Sequence, residues 1–247
     1  PDEAMATIKK LFGDIPRGKL PERKTTPAKE PKLPARLEMK SKFSVPRLMW
    51  AVPTVPSGHA DQAALDVLDA VLSLGKRSRL YRSLVEDLAI CSAAETGHSP
   101  GRFPGWFALY AEVLPGVKPE EVEKQVLAQL KKLRDEPPTA EELARVKQQV
   151  LASAVFRRET PNGLARTLIE AVLVNDLDFA KGYLPALLAV TPADVQRVAK
   201  KYLLPERSAT VWSLPEPRKE KGAAPAIVPG ALRELGRTQR AETKAAG

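Results

Sequence analysis

The stretch GKRSRLYRSLVEDLAI, residues 75–90, joins the segments from which the fold is predicted. Three leucines of the apolar run before it share one helical face: Leu65, Leu68 and Leu72. Gly75 is then a typical helix terminator, and residues 79–87 predict a second short helix with Ser78 as its capping residue. Three more leucines predict the buried stripe of that helix: Leu80, Leu84 and Leu88. We interpret the stretch as a structural turn rather than as a chemical motif.

Strand patterns lie on both sides of this helical segment. Four ranges have strand character: 35–44, 47–55, 90–98 and 105–113. The turn-rich sequence SPGRFP joins the last two ranges, which predicts an antiparallel pair. Four apolar residues of the final range share a face: Phe107, Leu109, Ala111 and Val113. The other face is also largely apolar, so we expect one face to pack on helices and the other to line an interior or an interface.

The chain after these strands is mostly helical. A core stripe at helical spacing runs through residues 118–136, and a capping box of Thr139 and Glu142 begins the next helix. Thr191 caps a further helix, and residues 207–214 predict a last strand. Strands, helices, two more strands, a helical block and one returning strand indicate an α+β fold.

Proline content divides the chain. Five prolines between residues 16 and 35 favour an extended linker, and the short helix predicted over residues 2–12 has too little partner surface of its own. Four segments are predicted: 1–15 as the end of a preceding domain, 16–35 as the linker, 36–215 as the main domain and 216–247 as a flexible tail. The chain opens on Pro1 without a methionine, so we also expect an upstream segment.

Composition excludes several classes of function. The net charge is +9, but the basic residues interleave with acidic ones and aromatic residues make up only 5% of the chain. We therefore expect no nucleic-acid partner. No apolar run approaches the roughly 20 residues that a membrane span requires.

Residues suited to catalysis or metal binding are few. His59, His98 and Cys91 are the only histidines and cysteine, and no second histidine lies one helical turn from either. Glu95 precedes His98 by three residues, so on a strand their side chains point to opposite faces. We interpret both histidines as surface or capping residues and Cys91 as inert packing. The sequence contains no Gly-x-Ser-x-Gly elbow and no phosphate-binding loop. We assign no catalytic residue and no metal ligand to this chain.

Several ordered motifs nevertheless resemble one family. They are IKKLFGDIPRGKLPERK, LMWAVPTVP, HADQAALDVLDAVLSLGKRSRLYRSLVED, PPTAEELARVKQQVLASAVF and VTPADVQRVAKKYLLPERSATVWSLP. Together they resemble the second, metal-free domain of pitrilysin/insulinase-type zinc peptidases, of the bacterial kind that is similar to the mitochondrial processing peptidase. The resemblance spans residues 1–215. It implies a mostly antiparallel sheet covered on one face by a helical layer.

The resemblance also implies a role. In this family two halves enclose a chamber in which an unfolded peptide is cut, and the zinc half carries a His-x-x-Glu-His motif that this sequence lacks. The expected partners are a zinc-bearing half, in the same polypeptide or on a separate subunit, an unfolded peptide and a second copy of the chain. Zinc would belong to the partner half, and this chain alone would be inactive. An exported, periplasmic location is favoured over a cytoplasmic one.

One feature of the family is missing. The arginine and tyrosine that active relatives place seven residues apart fall here on Val85 and Ser92, which provide neither a cation nor a phenol. We name Arg79 and Tyr81 as candidate substrate-binding residues, with packing at the helix–sheet boundary as the other interpretation of Tyr81. The lost pair also leaves a different function open, that of a structural or assembly protein which retains the peptidase fold without proteolysis.

Overall fold

The computed structural model describes residues 1–19, 31–174 and 177–216. Two compact units are present, Pro1–Lys32 and a larger one that begins at Leu33. The first unit contains helix α1, Asp2–Phe12, as the sequence predicts. Most of the predicted linker and the predicted tail after residue 216 lie outside the described residues.

The second unit is built on a five-stranded sheet. Its strands are β1 (Ala35–Ser41), β2 (Arg47–Pro53), β3 (Cys91–Ser99), β4 (Trp106–Val113) and β5 (Ala209–Pro215). The strand order is β1-β5-β2-β4-β3. The β1–β5 pair is parallel and the other three pairs are antiparallel, which confirms the mostly antiparallel sheet.

Helices cover one face of this sheet. They are α2 (Gln62–Ser73), α3 (Pro119–Asp135), α4 (Ala140–Arg158), α5 (Pro161–Val174), α6 (Leu177–Ala189) and α7 (Pro192–Tyr202). Because side chains alternate along a strand, every second residue of each central strand enters the core between sheet and helices. Trp50, Phe107, Leu109 and Trp212 do so and are almost fully buried. The four-residue face predicted for β4 is confirmed, since all four side chains are at 0% exposure.

Polar contacts attach helices to particular places on the sheet. Glu123 of α3 accepts a hydrogen bond from Trp212 Nε1 at 2.9 Å and pairs with Arg36 Nη1 of β1 at 2.8 Å. The capping boxes of Thr139 with Glu142 and of Thr191 with Asp194 are both present. These capping contacts satisfy backbone N–H groups at the starts of α4 and α7 that have no partner within the helix.

The stretch at residues 75–90 forms a turn and a π-helix, Tyr81–Asp87. Gly75 has φ +77°, where an L side chain is strained. The π-helix ends where Ala89 adopts φ +48° and the N–H of Ile90 donates to the carbonyl of Leu84 at 3.0 Å. This reversal turns the last predicted stripe residue, Leu88, outward, so it is 45% exposed and that prediction is wrong. Ile90 packs on the core instead.

Ser78 does not act as the predicted capping residue. Its hydroxyl is buried, and among the described residues it has no hydrogen-bond partner and no side chain caps the π-helix. Leu80 and Leu84 are both at 0% exposure, as predicted. The stretch therefore has the predicted shape, although its termination differs.

Candidate functional site

Helices α2–α7 lie on one side of the sheet, and within the described residues of the second unit none of them covers the other face. We call it the open face. It is formed by the alternate strand residues that point away from the core, which include Leu37, Met39, Arg47, Met49, Ala51, Glu95, Trp106, Ala108, Tyr110, Glu112, Val211 and Ser213. Leu37, Met39, Met49 and Trp106 are each about half exposed, at 48–58%. A contiguous apolar patch on a sheet face is typical of a binding surface.

The strand register arranges these side chains in rows across the sheet. One row holds the larger side chains Leu37, Val211, Met49, Tyr110 and Glu95. The neighbouring row holds only Ala35, Ala209, Ala51, Ala108 and Gly97. The open face thus has a row of small residues across all five strands beside a row of larger side chains.

A polar cluster lies beside the row of larger side chains. Glu112 is its centre: Arg47 Nη2 lies 2.9 Å from Glu112 Oε2, and the Tyr110 hydroxyl donates to the same oxygen at 3.1 Å. Ser92 Oγ donates to Glu112 Oε1 at 3.1 Å. The guanidinium of Arg47 also lies 3.6 Å from the centre of the Phe43 ring, a cation–π geometry.

These contacts shift two pKa values. The hydrogen bond from Ser92, followed by those from Tyr110 and Arg47, lowers the pKa of Glu112. Partial burial and the neighbouring Glu112 carboxylate raise the pKa of Tyr110. Glu112 is thus ionised and Tyr110 is protonated at neutral pH, so the cluster offers a hydroxyl and a paired cation. It has the chemistry of a polar anchor for a bound molecule.

The two sequence-predicted binding residues lie elsewhere, in the helical layer. Arg79 Nε and Nη2 donate to the two carboxylate oxygens of Glu142 at 3.0 and 2.9 Å, and this bidentate pair ties the turn after Gly75 to the start of α4. The hydrogen bonds from Arg79, together with the Thr139 backbone contact, lower the pKa of Glu142 to about 2. Tyr81 is half-buried in the π-helix. A role for either residue in substrate binding remains a prediction.

The structure also shows where the two positions lie that align with the family's arginine and tyrosine. Val85 packs against the core, and Ser92 is exposed and belongs to the polar cluster around Glu112. Sequence reasoning did not find this cluster, because Arg47 and Tyr110 are distant in sequence. The available signal was the alternation within β2 and β4, which places both residues on the face opposite the core.

One interpretation of the histidines is wrong. The side chain of His98 is only 1% exposed, and its Nδ1 lies 2.6 Å from Asp66 Oδ1. The Tyr183 hydroxyl donates to the other Asp66 oxygen at 2.5 Å, so Asp66 links α2, β3 and α6. Burial and the nearby Asp66 carboxylate raise the pKa of Tyr183.

The other two interpretations hold. His59 is a surface residue, since its side chain is 40% exposed, and its Nδ1 accepts the backbone N–H of Asp61 at 3.0 Å just before α2. Cys91 is 1% exposed and unpaired, and burial raises the pKa of its thiol to about 11. It is therefore inert packing, because the reactive form of cysteine is the thiolate.

Within the described part of the chain, no group of three or more His, Cys, Asp or Glu side chains is arranged to hold a metal ion. Over the same residues, every helix is too short or too polar to cross a membrane.

The fold of this chain is similar to that of solved protease structures. A protease from Helicobacter pylori has the same fold over 87% of this chain and 52% of its own, with a TM-score of 0.80 and 25% sequence identity. The periplasmic protease PqqL from Escherichia coli matches 87% of this chain and 24% of its own, with a TM-score of 0.68 and 18% identity. The zinc protease PqqE of Helicobacter pylori is 30% identical over 157 residues, which are 64% of this chain and 35% of the relative.

The family pattern described as "Peptidase M16 inactive domain" matches residues 1–150. The chain belongs to this family, which confirms the resemblance found from the sequence motifs. It spans about a third of the length of the curated relative that it matches and about half of the Helicobacter structure.

Proposed function

We propose that this chain is the non-catalytic half of a zinc endopeptidase and that its open face forms part of the chamber that encloses and binds peptide substrates. The observation that carries the proposal is the sheet itself, with helices on one face and half-exposed apolar side chains on the other. The relationship to a zinc protease supports it. The zinc would be held by a second half, in the same polypeptide or on a separate subunit.

Two features of the domain suit an extended peptide. The row of small residues allows a peptide backbone to approach the sheet, while Met49 and Trp106 on either side offer apolar contact for its side chains. Within the described residues β1 and β3 are the edge strands of the sheet, and an edge strand can pair with an extended peptide. Covering about 200 Å² of apolar surface contributes roughly 5 kcal/mol before the ordering cost of the peptide. We therefore expect binding to this half alone to be weak, in the micromolar to millimolar range.

Trp106 provides a direct test. It is 50% exposed, whereas the other two tryptophans, Trp50 and Trp212, are at 2% and 1%. Binding of an unfolded model peptide to the open face should therefore protect Trp106 fluorescence from acrylamide quenching. Met49→Asp should weaken binding at least tenfold, because it places a charge in the apolar patch. Leu88→Asp is the matched control, since Leu88 is 45% exposed on the helical side. Equal losses of peptide affinity in both variants, or no protection of Trp106 from quenching at saturating peptide, would exclude the open face as the peptide-binding surface.

Catalysis requires a separate experiment. The chain alone should not hydrolyse peptides, whereas its complex with the zinc-bearing half should do so and should lose activity with a chelator. Zinc-dependent cleavage by this chain alone would overturn the proposal. If no zinc-bearing half exists in the parent polypeptide or in a stable complex, the alternative applies, and the chain is a structural or assembly protein that retained the fold. The substitution of Val85 and Ser92 for the family's polar pair is compatible with either function.

Three finer proposals accompany this function. The chain works in the periplasm, as the name of the PqqL relative suggests. Arg79 and Tyr81 contact a part of the peptide that extends beyond the open face, so that Tyr81→Ala weakens peptide binding while the protein remains folded. Residues 36–215 are the peptidase-like domain, so that a protein trimmed to this range unfolds cooperatively and binds the same peptide.

A further inference from the structure

We infer that the open face is under redox control: oxidation of Met39 and Met49 to methionine sulfoxide by a peroxide weakens peptide binding there. The inference rests on the proposed function, because it concerns the same surface, and it adds a chemical means of releasing the peptide. Of the three methionines in the chain, two belong to the open face. They are two of its four apolar side chains that are about half exposed, the others being Leu37 and Trp106. An oxidant that acts on methionine therefore changes a large part of this apolar surface.

Both methionines are accessible to a small oxidant. Met39 lies on the edge strand β1 and is 49% exposed, and Met49 lies on β2 inside the sheet and is 48% exposed. The third methionine, Met5, is 52% exposed in helix α1 of the first unit. Because the three side chains are exposed to similar extents, Met5 provides an internal reference for the rate of oxidation.

The one other sulfur atom of the chain does not compete for the oxidant. It belongs to Cys91, which is 1% exposed and packs in the core. Oxidation of a cysteine by a peroxide requires an accessible thiolate. A redox response of the folded chain therefore depends on its methionines.

The reaction is the transfer of one oxygen atom to the thioether. The sulfur lone pair attacks an oxygen of hydrogen peroxide, the O–O bond breaks and an S–O bond forms. The proton on the transferred oxygen passes to the departing hydroxide, which leaves as water, so the sulfur is oxidised and the peroxide is reduced. A methionine sulfoxide reductase reverses the step, because two thiols form a disulfide while the oxygen leaves as water.

The surroundings of Met49 make one added oxygen costly to a bound peptide. Met49 lies opposite Tyr110 of β4 and Val211 of β5, in the middle of the row of larger side chains. The sulfoxide is a polar hydrogen-bond acceptor, whereas the thioether is apolar. The hydroxyl of Tyr110 already donates its hydrogen to Glu112, so it is not available to the new oxygen. A peptide that covers this position would bury an acceptor without a donor, which weakens binding by about tenfold.

Met39 extends the same effect to the edge of the sheet. It lies opposite Ser213 of β5, two residues after Leu37 on the same face of β1. A peptide that pairs with the edge of β1 would cover Met39, whereas a peptide in the middle of the sheet would cover Met49. Oxidation of both methionines therefore weakens either mode of binding.

The test measures peptide affinity before and after treatment with hydrogen peroxide, from the protection of Trp106 fluorescence against acrylamide. The quantity compared is the ratio of the two dissociation constants, so the affinity of each variant before oxidation does not enter. This ratio should be about ten or more for the wild type and close to one for Met39→Leu/Met49→Leu, because leucine is apolar and does not react. The matched control is Met5→Leu, which should respond to peroxide as the wild type does. Treatment with methionine sulfoxide reductase and a dithiol should restore the affinity of the oxidised wild type.

Mass spectrometry of proteolytic fragments gives a second readout. It should show added oxygen at the three methionines and none at Trp106 or Cys91. A saturating peptide should slow the oxidation of Met39, Met49 or both and leave the rate at Met5 unchanged. Circular dichroism of the oxidised chain should match that of the reduced chain, since the modified side chains lie outside the core.

The outcomes separate this inference from the proposed function. If the reduced chain binds peptide and keeps its affinity when Met39 and Met49 are fully oxidised, the inference fails while the proposed function stands. An equal loss of affinity in the wild type and in Met39→Leu/Met49→Leu would also overturn it, as would unfolding of the oxidised chain. If the reduced chain binds no peptide, the proposed function fails and this inference fails with it.

Discussion

Removal of the Asp61 carboxylate is expected to destabilise the second unit. Asp61 is 4% exposed at the start of α2. Its oxygens lie 2.5 Å from Arg197 Nη1 and 2.8 Å from Lys201 Nζ, and Tyr202 donates its hydroxyl at 2.7 Å. All three partners belong to α7, so this one carboxylate connects the start of α2 to α7. We therefore take Asp61→Asn as the perturbation.

The magnitude follows from what each partner loses. Breaking a fully buried ion pair costs about 3–5 kcal/mol, but Arg197 and Lys201 are half exposed and regain water. Tyr202 is 8% exposed and keeps only a weaker acceptor, for about 1 kcal/mol. We expect a net loss of about 2–3 kcal/mol in the free energy of unfolding, and a melting temperature lower by roughly 5–10 °C.

The pH dependence supplies an independent check. Burial alone would raise the pKa of Asp61, but hydrogen bonds from Lys201, Arg197 and Tyr202 hold it well below its usual range. A depressed folded-state pKa stabilises the protein above the unfolded value of about 4 and stops doing so as the pH falls through the folded value. As the pH falls below about 4, the wild type should therefore lose a stabilisation that the Asp61→Asn variant lacks at every pH.

The assay is urea unfolding, monitored by tryptophan fluorescence, at pH 7 and at about pH 3. The difference in unfolding free energy between wild type and Asp61→Asn should be smaller at pH 3. Asp87→Asn is the control, because Asp87 is exposed at the end of the π-helix. A loss below about 0.5 kcal/mol, within the range of ordinary surface substitutions, would refute the reasoning. So would a difference between wild type and Asp61→Asn that is the same at both pH values.

Three further outcomes are expected. Glu142→Gln removes the negative charge that pairs with Arg79 but keeps an oxygen that can accept the Thr139 N–H of the capping box, so it should cost about 1–2 kcal/mol in chemical denaturation. Since the pKa of Glu142 is about 2, this stabilisation should be present at neutral pH and disappear as the pH falls from about 4 towards 2. A cost that is independent of pH would contradict it. Gly75→Ala should lower the unfolding free energy by about 1 kcal/mol, because φ is +77° there; an unchanged denaturation midpoint would argue against the strain. Cys91, with a thiol pKa of about 11, should react with a disulfide reagent at pH 8 only when urea unfolds the protein, and rapid labelling of the native chain would show that the strand is open.

Local signals in the sequence were sufficient for most of the fold. The Thr139–Glu142 capping box is formed by residues three apart, and the β4 face follows from alternation alone, so neither depends on distant parts of the chain. Leu88 shows the limit of this reasoning. Its helical spacing predicts burial, but the positive φ of Ala89 and the hydrogen bond from Ile90 to Leu84 end the helix first. A change in helical register within one turn is not visible in a pattern of apolar residues.

The candidate site was less accessible to sequence reasoning. His98 stands beside a turn and a proline, which is typical of a surface residue, yet its environment is set by Asp66, 32 residues earlier, and by Tyr183 on another helix. The cluster of Arg47, Tyr110 and Glu112 likewise depends on strand pairing across more than 60 residues. The helical layer, which leaves one sheet face open, is a tertiary property that no single segment encodes.

The position of β5 has a consequence for how the domain is made. Among the described residues this strand is the last one, yet it lies between β1 and β2 and joins them. Within these residues β1 pairs only with β5, so during synthesis β1 gains its partner when residue 215 has left the ribosome, and the sheet closes late through contacts between residues far apart in sequence. Domains dominated by such distant contacts fold slowly. Until β5 is translated, the edges of β1 and β2 that pair with it are exposed and prone to aggregation. A chaperone that binds unfolded chains would protect this protein most during that interval.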